Sequence, residues 1–235
     1  MHGDIHQTMT AISVIALPVL IAITTHEASH GFVAWRCGDD TAYRMGRVTF
    51  NPLRHIDPFG TILLPLLMFF TVGFLFGYAK PVPINPLRFR HFRRDLILVA
   101  AAGPGSNLVL AFVSALLLHL MPFTPAWFSS WAIQVLLTSI AINVVLALFN
   151  MLPLLPLDGG RVLNALLPPA LARAYARTER FGMLILIALI FLPQLVGSHL
   201  GVDINILGWI LGPASSYVQA GIGHLAGLGN ALADI

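Results

Sequence analysis

The chain has 235 residues, 57% of them hydrophobic and only 10% charged, with 13 Lys and Arg against 10 Asp and Glu, and its mean hydropathy is +0.82. A soluble domain carries about 25% charged residues, so this composition excludes an ordinary water-soluble fold and points to a polytopic membrane protein. The single Cys37 excludes an intramolecular disulfide and a thiolate metal site. The net charge of +3 is no signature of nucleic-acid binding, because the basic residues fall in loops flanking apolar runs.

Met1 to Thr8 holds no Lys or Arg and so lacks the basic start of a cleaved signal peptide. The first apolar run, Met9 to Trp35, exceeds the roughly 20 residues needed to cross a hydrocarbon core. Inside it lies His26-Glu27-Ala28-Ser29-His30, an H-E-x-x-H motif. On a helix the two histidines stand one turn apart on one face, where both imidazoles reach one ion, and Glu27 beside them is placed to activate water. Ionisable groups at membrane depth are expensive, so a purely structural role would need partners for all three side chains.

Five further apolar stretches follow. Phe59 to Ala79 is broken by Pro65, Gly73 and Gly77; Leu96 to Met121 carries Gly103-Pro104-Gly105-Ser106-Asn107 near its start. Trp131 to Asn150 runs uninterrupted and then meets Pro153 and Pro156. Phe181 to Gly197 is another span, and Ile204 to Val218 is weaker and Gly-rich, suited to a short span or an interfacial helix. No internal repeat stands out. The expected fold is an all-α polytopic membrane protein with about five to six membrane segments, one of them re-entrant or broken at 59–79. Short β-hairpin elements are expected near 46–51 and 80–86. A single integral-membrane domain, 1–235, is expected, with a catalytic core at about 9–160 and accessory C-terminal helices at about 180–235.

The basic residues are cleanly distributed. Arg36, Arg44, Arg47 and Arg54 follow the first span; Lys80, Arg88, Arg90, Arg93 and Arg94 follow the second stretch; Arg161, Arg173, Arg177 and Arg180 follow the Trp131 helix; there are no others. The positive-inside rule places these stretches in the cytoplasm, with the N-terminus outside. That holds only if 59–79 enters and leaves on one side, which its Pro and Gly residues permit where protein covers the backbone. An ordinary span there would put five cations outside.

Two histidines leave a catalytic zinc short of one protein ligand. Among the acidic residues, Asp158 has the most suggestive context, Asn150-Met-Leu-Pro153-Leu-Leu-Pro156-Leu-Asp158-Gly159-Gly160. The prolines end a helix, and the glycines allow a tight turn beside a metal. A plain helix end with an Asx turn fits the same residues. With a re-entrant 59–79, Asp158 finishes on the same face as His26 and His30; with a full crossing it could not share their ion.

Together these motifs resemble the site-2 protease family of intramembrane zinc metalloproteases, which pairs H-E-x-x-H on one transmembrane helix with N-x-x-P-x-x-P-x-D-G on a later one. The resemblance covers about Met9 to Gly160. It implies that His26, His30 and Asp158 bind one Zn2+ per chain, that Glu27 is the general base, and that Asn150 holds the substrate backbone. Gly103 to Asn107 looks like the Gly-rich opening of the family's middle core helix, where small residues permit close packing; Asn107 is a weaker candidate for substrate contact. Gly46 to Thr61 with Ala79 to Pro86 looks like the compact bacterial branch, without PDZ or CBS domains. The resemblance further implies a multi-pass protein of the cytoplasmic membrane that cuts transmembrane or signal-peptide-like substrates near the cytoplasmic side. An edge strand near 47–50 or 80–84 could pair with an unwound substrate; Pro81 and Pro83 suit only an edge.

His55 could cap or gate the segment it precedes, and His119, His199 and His224 read as hydrogen-bonded or interfacial residues. His2 and His6 could bind adventitious metal at most. The main alternative function is a membrane metal-ion transporter using the His and Asp cluster. It has no need of Glu27 as a base and would favour inverted repeats, which the chain does not show. A membrane peptidase with its site in a soluble part would want a downstream Glu ligand. The only other glutamate, Glu179, sits among Arg177 and Arg180.

Overall fold

The computed structural model describes residues 2–63, 80–200, 204–229 and 231–232. Eight α-helices are found among them: α1 (His2–Arg36), α2 (Thr41–Arg44), α3 (Phe92–Leu118), α4 (Ala126–Asn150), α5 (Asp158–Leu166), α6 (Pro169–Ala176), α7 (Glu179–Leu200) and α8 (Ile206–Leu225). Three are long and apolar enough to cross a membrane, over Met9–Arg36, Phe92–Leu118 and Ala126–Asn150. Each is apolar on nearly all faces, which is what a helix between lipid and protein requires. Many of their large side chains, Ile12, Ile15, Val109 and Trp127 among them, point out of the protein. The fold is therefore an all-helical multi-pass membrane protein.

α1, α3 and α4 pack on one another as the central bundle. Their contacts are made largely by small residues, with Ala22, Ala28 and Ala34 buried on α1 and Ala100, Ala111 and Ala115 buried on α3. In lipid there is little hydrophobic drive between helices, so close backbone approach through small residues supplies the packing. α8 packs against α3 and α4: Ile222, with Ala226 just past the helix, joins Ala111, Ala115, Ile140 and Val144 in a buried cluster. α7 packs Leu186 and Ile190 against Leu157, just before α5.

The ends of the segment 37–91 come together. Arg90 N–H donates to Cys37 C=O at 3.1 Å, and Lys80 N–H to His55 C=O at 2.9 Å. The C-terminal end of α1 and the N-terminal end of α3 thus lie at the same end of the bundle. Asp39, fully buried, reinforces the join: its carboxylate accepts from Thr41 Oγ1 at 2.5 Å and from Asn85 N–H at 2.6 Å. The expected re-entrant segment 59–79 opens with a π-helical turn, Pro58–Leu63, and beyond Leu63 lies outside the described residues.

The β-hairpins expected near 46–51 and 80–86 are not formed: no strand is found among the described residues. Pro81 and Pro83 have no N–H to give a ladder, and the remaining polar groups are drawn elsewhere. Arg47 Nη2 takes the carbonyls of Lys80 and Pro81 at 2.7 and 3.3 Å, and Val82 N–H goes to a side chain of α1. Residues 80–85 form an extended strap across α1. The tetrapeptide Asn-Pro-Leu-Arg occurs at 51–54 and again at 85–88, and both copies fold as an Asn-capped 3-10 turn. This short repeat escaped the reading of the sequence because it spans only four residues.

Candidate metal centre

His26 and His30 lie in the C-terminal third of α1, both buried, with their Nε2 atoms 3.0 Å apart. Asp158, the first residue of α5, brings Oδ2 to 3.3 Å from each. The three ligand atoms lie within 4.8 Å of one another and could hold one metal ion. Asp158 arrives there because Pro153 and Pro156 stop helix α4 from continuing, and the turn back is packed with no spare volume. A Cβ on Gly159 would fall 2.6 Å from Leu152 O, and one on Gly160 2.5 Å from Leu155 N.

The other nitrogen of each imidazole is engaged. His30 Nδ1 lies 2.7 Å from Val99 C=O, and His26 Nδ1 lies 2.6 Å from Asn107 Oδ1. Both partners are acceptors, so each Nδ1 carries a proton, and each Nε2, facing Asp158 Oδ2, is the nitrogen left to ligate a metal. Asn107 is itself fixed. Its Nδ2 donates to Asn143 Oδ1 at 2.8 Å and to Ala22 C=O at 3.3 Å, and Asn143 Nδ2 donates to Ser139 C=O at 2.8 Å. This chain ties all three core helices to the orientation of one imidazole.

Gly103 explains how α3 can approach so closely. A Cβ there would fall 2.5 Å from His26 Nε2 and 2.6 Å from His26 Cε1, and nearer still to His30 Nε2. The space beside the two imidazoles exists because residue 103 has no side chain. Two imidazole Nε2 atoms and a carboxylate oxygen, converging on such a space with both rings oriented through Nδ1, suit Zn2+ in its three-protein-ligand form.

Glu27, half-buried, faces the strap rather than lipid, and Val82 N–H donates to its Oε2 at 2.8 Å. Asn150, at the last turn of α4, turns its Nδ2 back onto Leu146 C=O at 2.9 Å. Asn107, raised as a possible substrate contact, is fully buried within the bundle, on His26. His55 is buried with Nε2 on Thr49 C=O at 2.9 Å, and His119 Nε2 bonds Ala226 C=O at 2.7 Å; neither stands with the metal group. Reading the sequence missed Asn143, Arg47, Val99 C=O and the Val82 amide. The last two are backbone groups, for which no residue-type signal exists. Asn143 could have been singled out as a second amide side chain within an apolar span.

Residues 122–193 match the model of peptidase family M50. A Bacillus subtilis protein named "Putative zinc metalloprotease YwhC" is 38% identical over 199 residues, covering 83% of this chain and 87% of its own length. The chain belongs to peptidase family M50, the site-2 proteases. Two relatives named "Putative zinc metalloprotease Rip2" are also similar. The Mycobacterium tuberculosis protein (strain H37Rv) is 31% identical over 91% of this chain and 77% of its own length. The Mycolicibacterium smegmatis one is 33% identical over 75% of this chain and 66% of its own. No solved structure matches the chain significantly. Membership of M50 makes this a zinc metalloprotease in a membrane setting, and the compact form fits the relatives it matches.

Proposed function

We propose that the chain is an intramembrane endopeptidase that hydrolyses peptide bonds of transmembrane or signal-peptide-like substrates, near the cytoplasmic side of a bacterial inner membrane. The observation that carries this reading is the convergence of His26, His30 and Asp158 within 4.8 Å, with Glu27 beside them and the whole group enclosed by helices able to span a bilayer. Sidedness rests on charge. All 13 cations lie in the stretches 36–54, 80–94 and 161–180, at the end of the bundle where α1 finishes, α3 begins and Asp158 sits, and the positive-inside rule assigns that end to the cytoplasm.

In this reading His26, His30 and Asp158 hold the zinc, which supplies Lewis acidity to polarise the scissile carbonyl and acidify water. Glu27 is the general base: it takes the proton of the attacking water as the C–O bond forms and hands it to the leaving amine as the C–N bond breaks. Its position is set by the Val82 amide on Oε2, which leaves Oε1 to receive the proton. Asn107 and Asn143 orient His26, a role we favour for Asn107 over substrate contact. Asn150, at the mouth of the Pro-rich turn, is the proposed contact for substrate backbone.

The test is to purify the wild-type chain, Glu27→Gln and Asp158→Ala in detergent, and to measure bound zinc alongside cleavage of a transmembrane substrate. Wild type should cut, Glu27→Gln should hold zinc without cutting, and Asp158→Ala should lose zinc. Cleavage by Glu27→Gln, or full zinc occupancy in Asp158→Ala, refutes these roles and brings metal-ion transport forward.

A further inference from the structure

A cavity of about 290 Å3 opens beside His30, on the side away from the Asn107 network. Its walls are Ile84 of the strap, Phe92 and Leu96 of α3, and Leu155 of the Pro-rich turn. Three further polar residues line it, Arg161 and Asn164 of α5 and Glu179 at the start of α7. Asn164 Oδ1 is buried without a hydrogen-bond partner. The half-buried Arg161 guanidinium takes part in none of the hydrogen bonds or ion pairs found among the described residues.

A buried carbonyl oxygen with no donor is a rare state that a ligand or water normally resolves. Arginine offers only donors, so what it lacks is an acceptor oxygen. The cavity therefore wants something that brings an N–H to Asn164 and a neutral carbonyl to Arg161, with apolar bulk between them; Glu179 on the same lining disfavours a carboxylate. An extended polypeptide backbone carrying an apolar side chain is that ligand. The cavity's reach agrees. Val99, whose carbonyl holds His30, and Phe92 both line it, and seven helical residues rise about 10 Å, the length of about three extended residues. It runs from the metal ligands to the bundle end that carries the cations.

We infer that this cavity is a substrate subsite, which holds the two or three residues next to the scissile bond on the side facing that end, with Arg161 and Asn164 binding their backbone. The inference rests on the peptidase reading above and adds to it where the cut chain lies and which residues grip it. The same strap that fixes Glu27 through Val82 forms the cavity wall through Ile84. Substrate leaving the catalytic centre on this side must therefore pass between strap and α5.

The experiment uses the zinc-loaded full chain in nanodiscs and a fluorescent apolar peptide of about 25 residues, long enough to span the bilayer. Affinity is measured in a Glu27→Gln background, where the peptide stays whole. Arg161→Gln, Asn164→Leu and the cavity-filling Leu96→Trp are compared with Arg173→Gln, an exposed arginine outside the cavity. Arg161→Gln should weaken binding roughly tenfold or more, the loss of a charge-assisted hydrogen bond. Leu96→Trp should weaken it comparably, and Arg173→Gln should leave it unchanged. In the active chain the same changes should raise KM more than they lower kcat. A photoreactive group carried on the two or three residues next to the cut should label Ile84 or Leu96. If the zinc-loaded Arg161→Gln and Leu96→Trp chains bind the peptide as tightly as their parent, the subsite assignment is wrong while the peptidase reading stands. If the wild-type chain neither binds nor cuts any such peptide, the peptidase reading itself has failed.

Discussion

Replacing Gly103 with alanine tests the metal centre at a residue that is neither ligand nor base. The added Cβ would lie 2.5 Å from His26 Nε2 and 2.6 Å from His26 Cε1, short of ordinary contact by about 1 Å. Both imidazoles are pinned at Nδ1, by Asn107 and by Val99 C=O, so they cannot swing aside without breaking a buried hydrogen bond. Zinc–nitrogen bonds are about 2.0–2.1 Å long and tolerate roughly 0.2 Å, so a shift of even half the overlap exceeds what coordination allows. Gly103→Ala should therefore weaken zinc binding roughly 10- to 100-fold, as disturbance of ligand orientation does, and lower kcat/KM about 100-fold, as expected of a misplacement near 1 Å. The control is Gly105→Ala two residues on, where a Cβ meets nothing within 4 Å. Both changes share the gain of about 0.5–1 kcal/mol that alanine brings over glycine in a helix, so their difference isolates the overlap. Chelator titration with metal analysis, run beside a cleavage assay, reads both quantities. If Gly103→Ala holds zinc and cuts like Gly105→Ala, the approach of α3 to the two histidines described above is wrong.

Three further outcomes are expected. Asn107→Ala, which removes the acceptor of His26 Nδ1, should weaken zinc binding about 10- to 100-fold by chelator titration, and Asn143→Ala, one step further out, should do so less. Val82→Pro removes the amide that holds Glu27, in a strap already flanked by Pro81 and Pro83; kcat should fall roughly tenfold with bound zinc unchanged, whereas Val82→Ala, which trims the same buried side chain but keeps the amide, should fall less. Cys37 is buried, and burial, aided by the Asp95 carboxylate, raises its thiol pKa. Its thiolate is therefore scarcer than that of a free cysteine at any given pH, and maleimide labelling at pH 7.5 should be slow until the chain is unfolded.

The parts of this molecule legible in its sequence are those that one residue type announces. The apolar runs beginning at Met9, Leu96 and Trp131 mark the three long helices, although α3 and α4 begin several residues earlier, at Phe92 and Ala126. Polar or aromatic starts such as Phe92-Arg-Arg-Asp95 carry no hydropathy signal; the α3 start is set instead by Asp95, whose carboxylate accepts His91 N–H at 2.8 Å. His26, His30 and Asp158 were nameable because each is costly inside an apolar chain, and the structure brings them together. The strap was misjudged for a physical reason: an extended run with two prolines resembles an edge strand, yet its carbonyls and its amide are taken by Arg47 and Glu27. Contacts between a backbone group and a distant side chain leave no periodicity to read.

The bond from Lys80 N–H to His55 C=O also bears on how such a protein can diversify. His55 and Lys80 are joined by that one hydrogen bond, and the residues on either side are anchored independently, His55 by Thr49 and the strap by Arg47 and Glu27. An interval of chain whose two ends already touch can change length at an entropic penalty that grows only logarithmically. The interval 56–79 is therefore a natural place for insertion, exchange or grafting, where a lineage could acquire new reach into the bilayer while His26, Glu27, His30 and Asp158 stay where they are.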